Sequence, residues 1–260
     1  MQTVTPADVP TDEPTPTPVP QLAPGLTRGR VVDGFALVNA HGAALNNTSY
    51  TVRRNSTTMF RNGTLFDQST TRTQLAANEG QFYQIENSSA IPIRGLGTLS
   101  ERIYSTGERT LVARTENDST SYAVPQSGGE PIPVQYAASG FSRDRIELLF
   151  NTVETRVTGR TASNGTTLYR VVGTNVTNPV AFGSATLQNP RNITFQAVVD
   201  SQGLIREYQV SYTATKNDSP VRVDRGVRYT DVGNTTIERP AWYEEAIGNV
   251  STATTSTAAT

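Results

Sequence analysis

The side chains that carry most protein chemistry are scarce here. There is no cysteine, one histidine (His41) and one lysine (Lys216). Without cysteine there are no disulfides, thiol nucleophiles or thiolate metal sites. A hydroxyl nucleophile needs a base beside it, and His41 is the only imidazole. It falls in a stretch with helical periodicity, where a histidine reads as a packed, hydrogen-bonded residue rather than a general base. A single lysine argues against Schiff-base chemistry, and there is no Gly-x-Ser-x-Gly elbow or Gly-rich phosphate loop. The carboxylate pairs Asp12–Glu13 and Glu244–Glu245 read as solvated surface charge. "ENDS" (116–119) and "DSQG" (200–203) have too few acids for a calcium loop and read as turns. The close basic pairs, Arg53–Arg54 and Arg143–Arg145, are not interleaved with aromatics as in a base-stacking platform. With a formal net charge of −1, the sequence predicts no nucleic-acid partner, and it predicts no catalytic residue, metal or cofactor.

One chemical signal is in excess. Of 17 asparagines, 12 are followed two positions later by Ser or Thr with no Pro between, against a chance expectation of about 4. Asn55 and Asn192 have opposite parity to the apolar rows of their strands, and Asn62, Asn117, Asn164 and Asn217 fall in predicted turns. These six are the strongest glycosylation candidates, because an exported sheet can carry glycans there without losing its core.

The elements that hold these residues are legible from punctuation and alternation. Residues 1–27 begin with 7 of the 15 prolines before position 25, and predict an extended, solvated Pro/Thr-rich tether. No apolar segment follows Met1, so the protein is either cytoplasmic or exported with its signal removed; a Pro/Thr tether joined to a sequon-rich domain favours export, with an N-terminal membrane anchor outside this sequence. Asp33 caps a predicted helix whose stripe is Phe35, Val38, Gly42 and Leu45. Two meanders of short strands follow, separated by a second helix that Ser142 caps and Phe141 staples onto Ile146. In the second meander Phe195, Ala197 and Val199 share one parity, Leu204, Tyr208, Val210 and Tyr212 another, and Val221, Val223, Val227 and Tyr229 form a third row. Pro240 opens a short last helix that Gly248 closes, and residues 248–260 predict a disordered tail. The expected fold is α+β. A single domain over 28–247 forms an incomplete antiparallel β-barrel of about ten strands, curled around two or three helices.

The phrases "FALVNAHGAALNNTSYTVRRNSTTMFRNGTL", "FQAVVDSQGLIREYQVSYTA" and "ERPAWYEEA" resemble those of haloarchaeal cell-surface lipoproteins of unknown function. In order of elements, residues 26–247 are also similar to the half-barrel lipid carriers: the lipoprotein-localisation carrier and the mycobacterial lipid-binding lipoproteins. The resemblance implies an exported, surface-anchored, non-enzymatic protein that binds or carries a lipophilic molecule. The haloarchaeal group carries a lipid-modified cysteine before its spacer; this sequence has the spacer without the cysteine. A groove would be lined by Phe35, Val38 and Leu45 of the first helix with Phe195, Leu204, Tyr208, Val210, Tyr212 and Tyr229 of the inward rows. The competing reading is a structural or adhesive surface glycoprotein whose sheet is closed by its own helices around a ligand-free core. The same alternating rows serve both.

Overall fold

The structure, a computed structural model, describes residues 20–77, 80–90, 98–125, 143–163 and 165–256. The chain opens with a small hairpin, β1 (Gln21–Ala23) and β2 (Leu26–Thr27). Gly25 turns it at φ +74°, and its carbonyl accepts hydrogen bonds from the amides of Val32 (2.9 Å) and Asp33 (3.2 Å). Ala23 and Leu26 are buried in the main core, so the predicted tether boundary at 27 is too late. Residues 21–27 belong to the domain because this hairpin has apolar surface to bury.

Helix α1 (Gly34–Leu45) starts as expected, with Asp33 Oδ1 accepting from the Ala36 amide at 2.9 Å. Its buried side is Gly34, Leu37, Val38 and His41 rather than the predicted stripe. Phe35 lies one residue, about 100°, round the helix from Gly34. It is 53% exposed and stacks under the Arg143 guanidinium at 4.9 Å.

The first meander is β3 (Tyr50–Phe60), β4 (Leu65–Leu75), β5 (Gln81–Ala90), β6 (Leu99–Thr106), β7 (Thr110–Glu116) and β8 (Ser119–Ala123). Helix α2 (Arg143–Thr152) then leads to β9 (Val153–Ser163), β10 (Thr166–Val176), a 3₁₀ turn (Pro179–Phe182), β11 (Gln188–Asp200), β12 (Ile205–Lys216) and β13 (Ser219–Thr230). The α2 cap and staple expected at Ser142 and Phe141 lie outside the described residues. All eleven long strands form one antiparallel sheet in the order β8-β7-β6-β5-β4-β3-β13-β12-β11-β10-β9. The two meanders meet where β13 pairs with β3, and the sheet is open between β8 and β9, so it is an incomplete barrel. "ENDS" and "KNDS" are two-residue hairpin turns with both central residues at positive φ, as type I′ requires.

On the inner face, α1 and α2 join the sheet in one core that includes Leu37, Val38, Ile146, Leu149, Phe150, Phe195, Tyr208 and Tyr212. Helix α3 (Tyr243–Ser256) packs on the opposite face, with Tyr243 edge-on to Tyr104 at 5.5 Å and Ala246 fully buried. It runs past Gly248, where the sequence predicts its end, because helix propensity tolerates one glycine when the preceding turn is held by packing.

The turn between β11 and β12 is built on Asp200, only 2% exposed. Its Oδ1 accepts from the amides of Gln202 (2.9 Å) and Leu204 (3.0 Å), and its Oδ2 from Arg206 Nε (3.0 Å). Gly203 in that turn has φ +90°, and a Cβ there would stand 2.6 Å from Ala40 Cβ on α1. Gly203→Ala should therefore lower unfolding free energy by about 2 kcal/mol or more, combining backbone strain with overpacking. Gly63→Ala, also at positive φ but with nothing within 4 Å, should cost less in the same urea titration. Equal losses would show that the approach of α1 to this turn is not what constrains Gly203.

Candidate functional site

Pairing across the sheet sets side chains in rows on the inner face, and two of these rows form the floor of a cleft of about 470 Å³. One row runs Tyr208, Val227, Arg54, Thr71, Glu86 over β12, β13, β3, β4 and β5. The next runs Val210, Arg225, Ser56, Ser69 over β12, β13, β3 and β4. Each starts apolar and ends polar. Leu149 and Arg145 of α2, Phe182 of the 3₁₀ turn, Tyr212 of β12, and Asn55 and Gly226 between the two rows complete the lining. Phe182 meets Tyr212 edge-on at 6.3 Å, and the Arg225 guanidinium lies 5.8 Å from the Tyr212 ring centre.

The electrostatics of the cleft are unbalanced. Three arginines and one carboxylate, Glu86, line it. Arg54 and Arg225 are half-buried diagonal neighbours, since Arg54 is opposite Val227 and Arg225 opposite Ser56. Burial pushes the Arg54 pKa down; the Glu86 charge resists this, and Arg145 adds to it. Arg225 is also pushed down, first by burial and further by Arg145, against the pull of Tyr212, Asp67 and Tyr208. Asp67 is itself committed to Lys216 at 2.8 Å and to the Thr58 hydroxyl at 3.2 Å. Neither Arg145 nor Arg225 forms an ion pair among the described residues. Burial raises the Tyr208 and Tyr212 pKa values, so both phenols stay neutral donors at neutral pH. Tyr212 is 2% exposed, and its hydroxyl has no hydrogen-bond partner among the described residues.

The residues predicted to line a groove separate into two groups. Tyr208, Val210 and Tyr212 line the cleft. Val38, Phe195, Leu204 and Tyr229 are buried elsewhere: Val38 beneath α1, Phe195 edge-on to Phe150 at 5.3 Å, and Tyr229 edge-on to His41 at 4.8 Å. Leu45 is partly buried against the core, and Phe35 points to solvent, so α1 does not roof a groove with its predicted stripe. The residues that reading misses are Arg54, Arg145 and Arg225. The signal for two of them is in the sequence: Arg54 shares parity with Val52, and Arg225 puts a charge in the otherwise apolar row Val221, Val223, Val227 and Tyr229.

His41 is a packed residue. It is 5% exposed, and its Nδ1 accepts the Ile205 amide at 3.2 Å, which leaves the proton of the neutral ring on Nε2. Among the described residues no group of three or more His, Asp or Glu could hold a metal ion, and no helix is long and apolar enough to cross a membrane.

A family profile described as "Family of unknown function (DUF7537)" matches residues 7–246. The chain belongs to DUF7537. Comparison with curated proteins gives no match. Among solved structures, this DUF7537 chain is similar to the Mycobacterium tuberculosis lipoprotein LppX, with 11% identity, 78% of this chain and 97% of that one covered, and a TM-score of 0.38. It is also similar to a DUF1329 family protein from Desulfovibrio piger (10% identity, 83% and 97% covered, TM-score 0.27). A putative outer membrane lipoprotein-sorting protein domain from Vibrio parahaemolyticus gives 6% identity, 81% and 96% covered, and a TM-score of 0.25.

The buried imidazole makes stability depend on pH. Burial lowers the His41 pKa from 6.5 to about 4, so as pH falls the unfolded chain takes up the proton first. Its contribution is fully present above pH 6.5 and is lost as pH falls to about 4, a difference of up to about 3 kcal/mol. In His41→Asn, whose side-chain oxygen can still accept the Ile205 amide, the stability profile over this window should be flatter than in wild type. Parallel profiles would mean that His41 is not held neutral by the core.

Proposed function

We propose that this is an exported, surface-tethered, non-enzymatic protein that binds or carries a lipophilic molecule in the inner cleft. The observation that supports this reading most directly is the make-up of that cleft. Leu149, Phe182, Tyr208, Val210 and Tyr212 set apolar side chains at one side of the cleft, beside the polar rest of its floor. Its volume is within the range of small-molecule sites, and each methylene buried against the apolar wall is worth about 0.8 kcal/mol. In this reading the ligand keeps Tyr208, Val210 and Tyr212 of the expected lining and lies in the cleft rather than beneath α1, where Leu37, Val38 and His41 are buried.

The surface half of the proposal has its own support. Of the 12 sequon asparagines, 11 are described (Asn46, Asn47, Asn55, Asn62, Asn87, Asn117, Asn175, Asn192, Asn217, Asn234 and Asn249), and all are exposed; Asn164 lies outside the described residues. Asn55 lies opposite Gly226, at the parity opposite to Arg54 and Ser56 of the cleft floor. The same exposure favours the alternative, a structural or adhesive glycoprotein, and the two readings part at the cleft.

Protein purified under native conditions from its own host should yield a co-purifying amphiphile on chloroform–methanol extraction and mass spectrometry. Its intact mass should exceed the sequence mass by several glycans. A glycosylated protein that releases no lipid and takes up no alkyl probe would leave the structural reading in place. An unmodified protein confined to the cytosol would end the surface proposal.

A further inference from the structure

The polar end of the cleft points to the chemistry of the ligand's headgroup. We propose that Arg54, Arg145 and Arg225 form a seat for an anionic headgroup, so that the cargo is an amphiphile ending in a phosphate, sulfate or carboxylate. The seat presupposes that the cleft is the lipophilic site proposed above.

Three independent observations carry it. The first is convergence: two adjacent strands and one helix each contribute a guanidinium to the same cleft, with Glu86 as the one carboxylate lining it. Holding the like charges of Arg54 and Arg225 together half-buried, with the exposed Arg145 beside them, is costly, and surface exposure would have relieved it, since the outer face of β3 and β13 is otherwise open to charge at Arg53, Arg222 and Arg228. An anion offsets that cost, and the planar guanidinium fork matches a tetrahedral or carboxylate oxyanion in two hydrogen bonds.

The second is the Tyr212 hydroxyl. It belongs to a side chain that is 98% buried by the measure of its 2% exposure, lines the cleft, and has no partner among the described residues. A buried hydroxyl without a partner is rare in a folded protein, and a ligand oxygen would satisfy it. Ser56, Ser69 and Thr71 add further hydroxyls on the floor.

The third is polarity order. Along both floor rows the apolar members, Tyr208 and Val210, precede the arginine and its polar neighbours. A ligand with its alkyl part against β12 would therefore bring its head to Arg54 and Arg225. A free anion would use only the second half of that gradient.

Calorimetric titration of the full chain with decyl phosphate, decanol and inorganic phosphate separates these cases. Decyl phosphate should bind at least about tenfold tighter than decanol and much tighter than phosphate. Arg145→Gln, an exposed change on α2, should remove most of that preference by weakening decyl phosphate binding far more than decanol binding; Arg225→Gln should do the same if it folds. Equal affinity for decanol and decyl phosphate would overturn the anionic seat and leave the lipophilic reading standing. If phosphate alone binds as well as decyl phosphate, the site holds a free anion and the amphiphile is excluded. Binding of none of the three overturns both, whereas a preference that Arg145→Gln leaves intact overturns the anionic seat alone.

Discussion

The pairing of β13 with β3 is the contact on which the rest of the structure depends. It runs without a register break from Val221 opposite Phe60 to Thr230 opposite Thr51, and it joins strands about 170 residues apart in sequence into the centre of one sheet. Each meander alone is a local structure of hairpins. Only this ladder gives them a common inner face for α1 and α2 to cover, at the cost of closing a very long loop. It also creates the cleft. Arg54 comes from one meander and Arg225 from the other, and they become diagonal neighbours only because Val227 lies opposite Arg54.

The inner face is not uniform, and the boundary falls near this ladder. On the β9–β13 side the inward residues are large and apolar, and together with α1 and α2 they build the core. On the β4–β7 side the inward residues include Asp67, Ser69, Thr71, Gln84, Glu86, Glu101 and Arg114. With hydrophobic residues at 35% of the sequence, there is not enough apolar surface for two such halves. The polar half is stitched instead by hydrogen bonds between side chains, such as Thr73 to Gln84 at 3.2 Å and Thr110 to Ser105 at 3.2 Å, both buried. An amphipathic cleft is the natural product of that junction. It is where packing ends and polar pairing begins.

What the sequence made legible follows from how local each signal is. Strand alternation, the I′ turns at Asn117–Asp118 and Asn217–Asp218, and the Asp33 cap depend on a few neighbouring residues, and all appear where the pattern places them. The rotation of α1 does not depend on neighbours alone. Leu37 and His41 turn inward because the β11–β12 turn presses on Ala40 and the Ile205 amide needs an acceptor, contacts made across some 160 residues. The end of α3 beyond Gly248 and the early start of the domain at β1 are of the same kind, since tertiary burial of Ala246 and Leu26 outweighs a local breaker or a Pro-rich neighbourhood. Arg54 and Arg145 were visible in basic pairs, but the convergence of Arg54 with Arg225 belongs to the register of β3 and β13, which no local pattern encodes.

That register also keeps two uses of one strand apart. Along β3, Arg53 and Asn55 face out while Arg54 and Ser56 face the cleft. Because side chains alternate with period two, a slip of one residue would turn Asn55 inward and carry Arg54 to the surface. Gly226 fits this arrangement closely: a Cβ there would come within 2.5 Å of Asn55 Oδ1, so the absence of a side chain on β13 makes room for the asparagine on its neighbour. A bulky sequon residue on the outside and a charged residue on the inside of adjacent positions thus depend on one ladder holding one register. The buried pairs that flank them, Val52 opposite Tyr229 and Val223 opposite Thr58, fix that register by burial at either end.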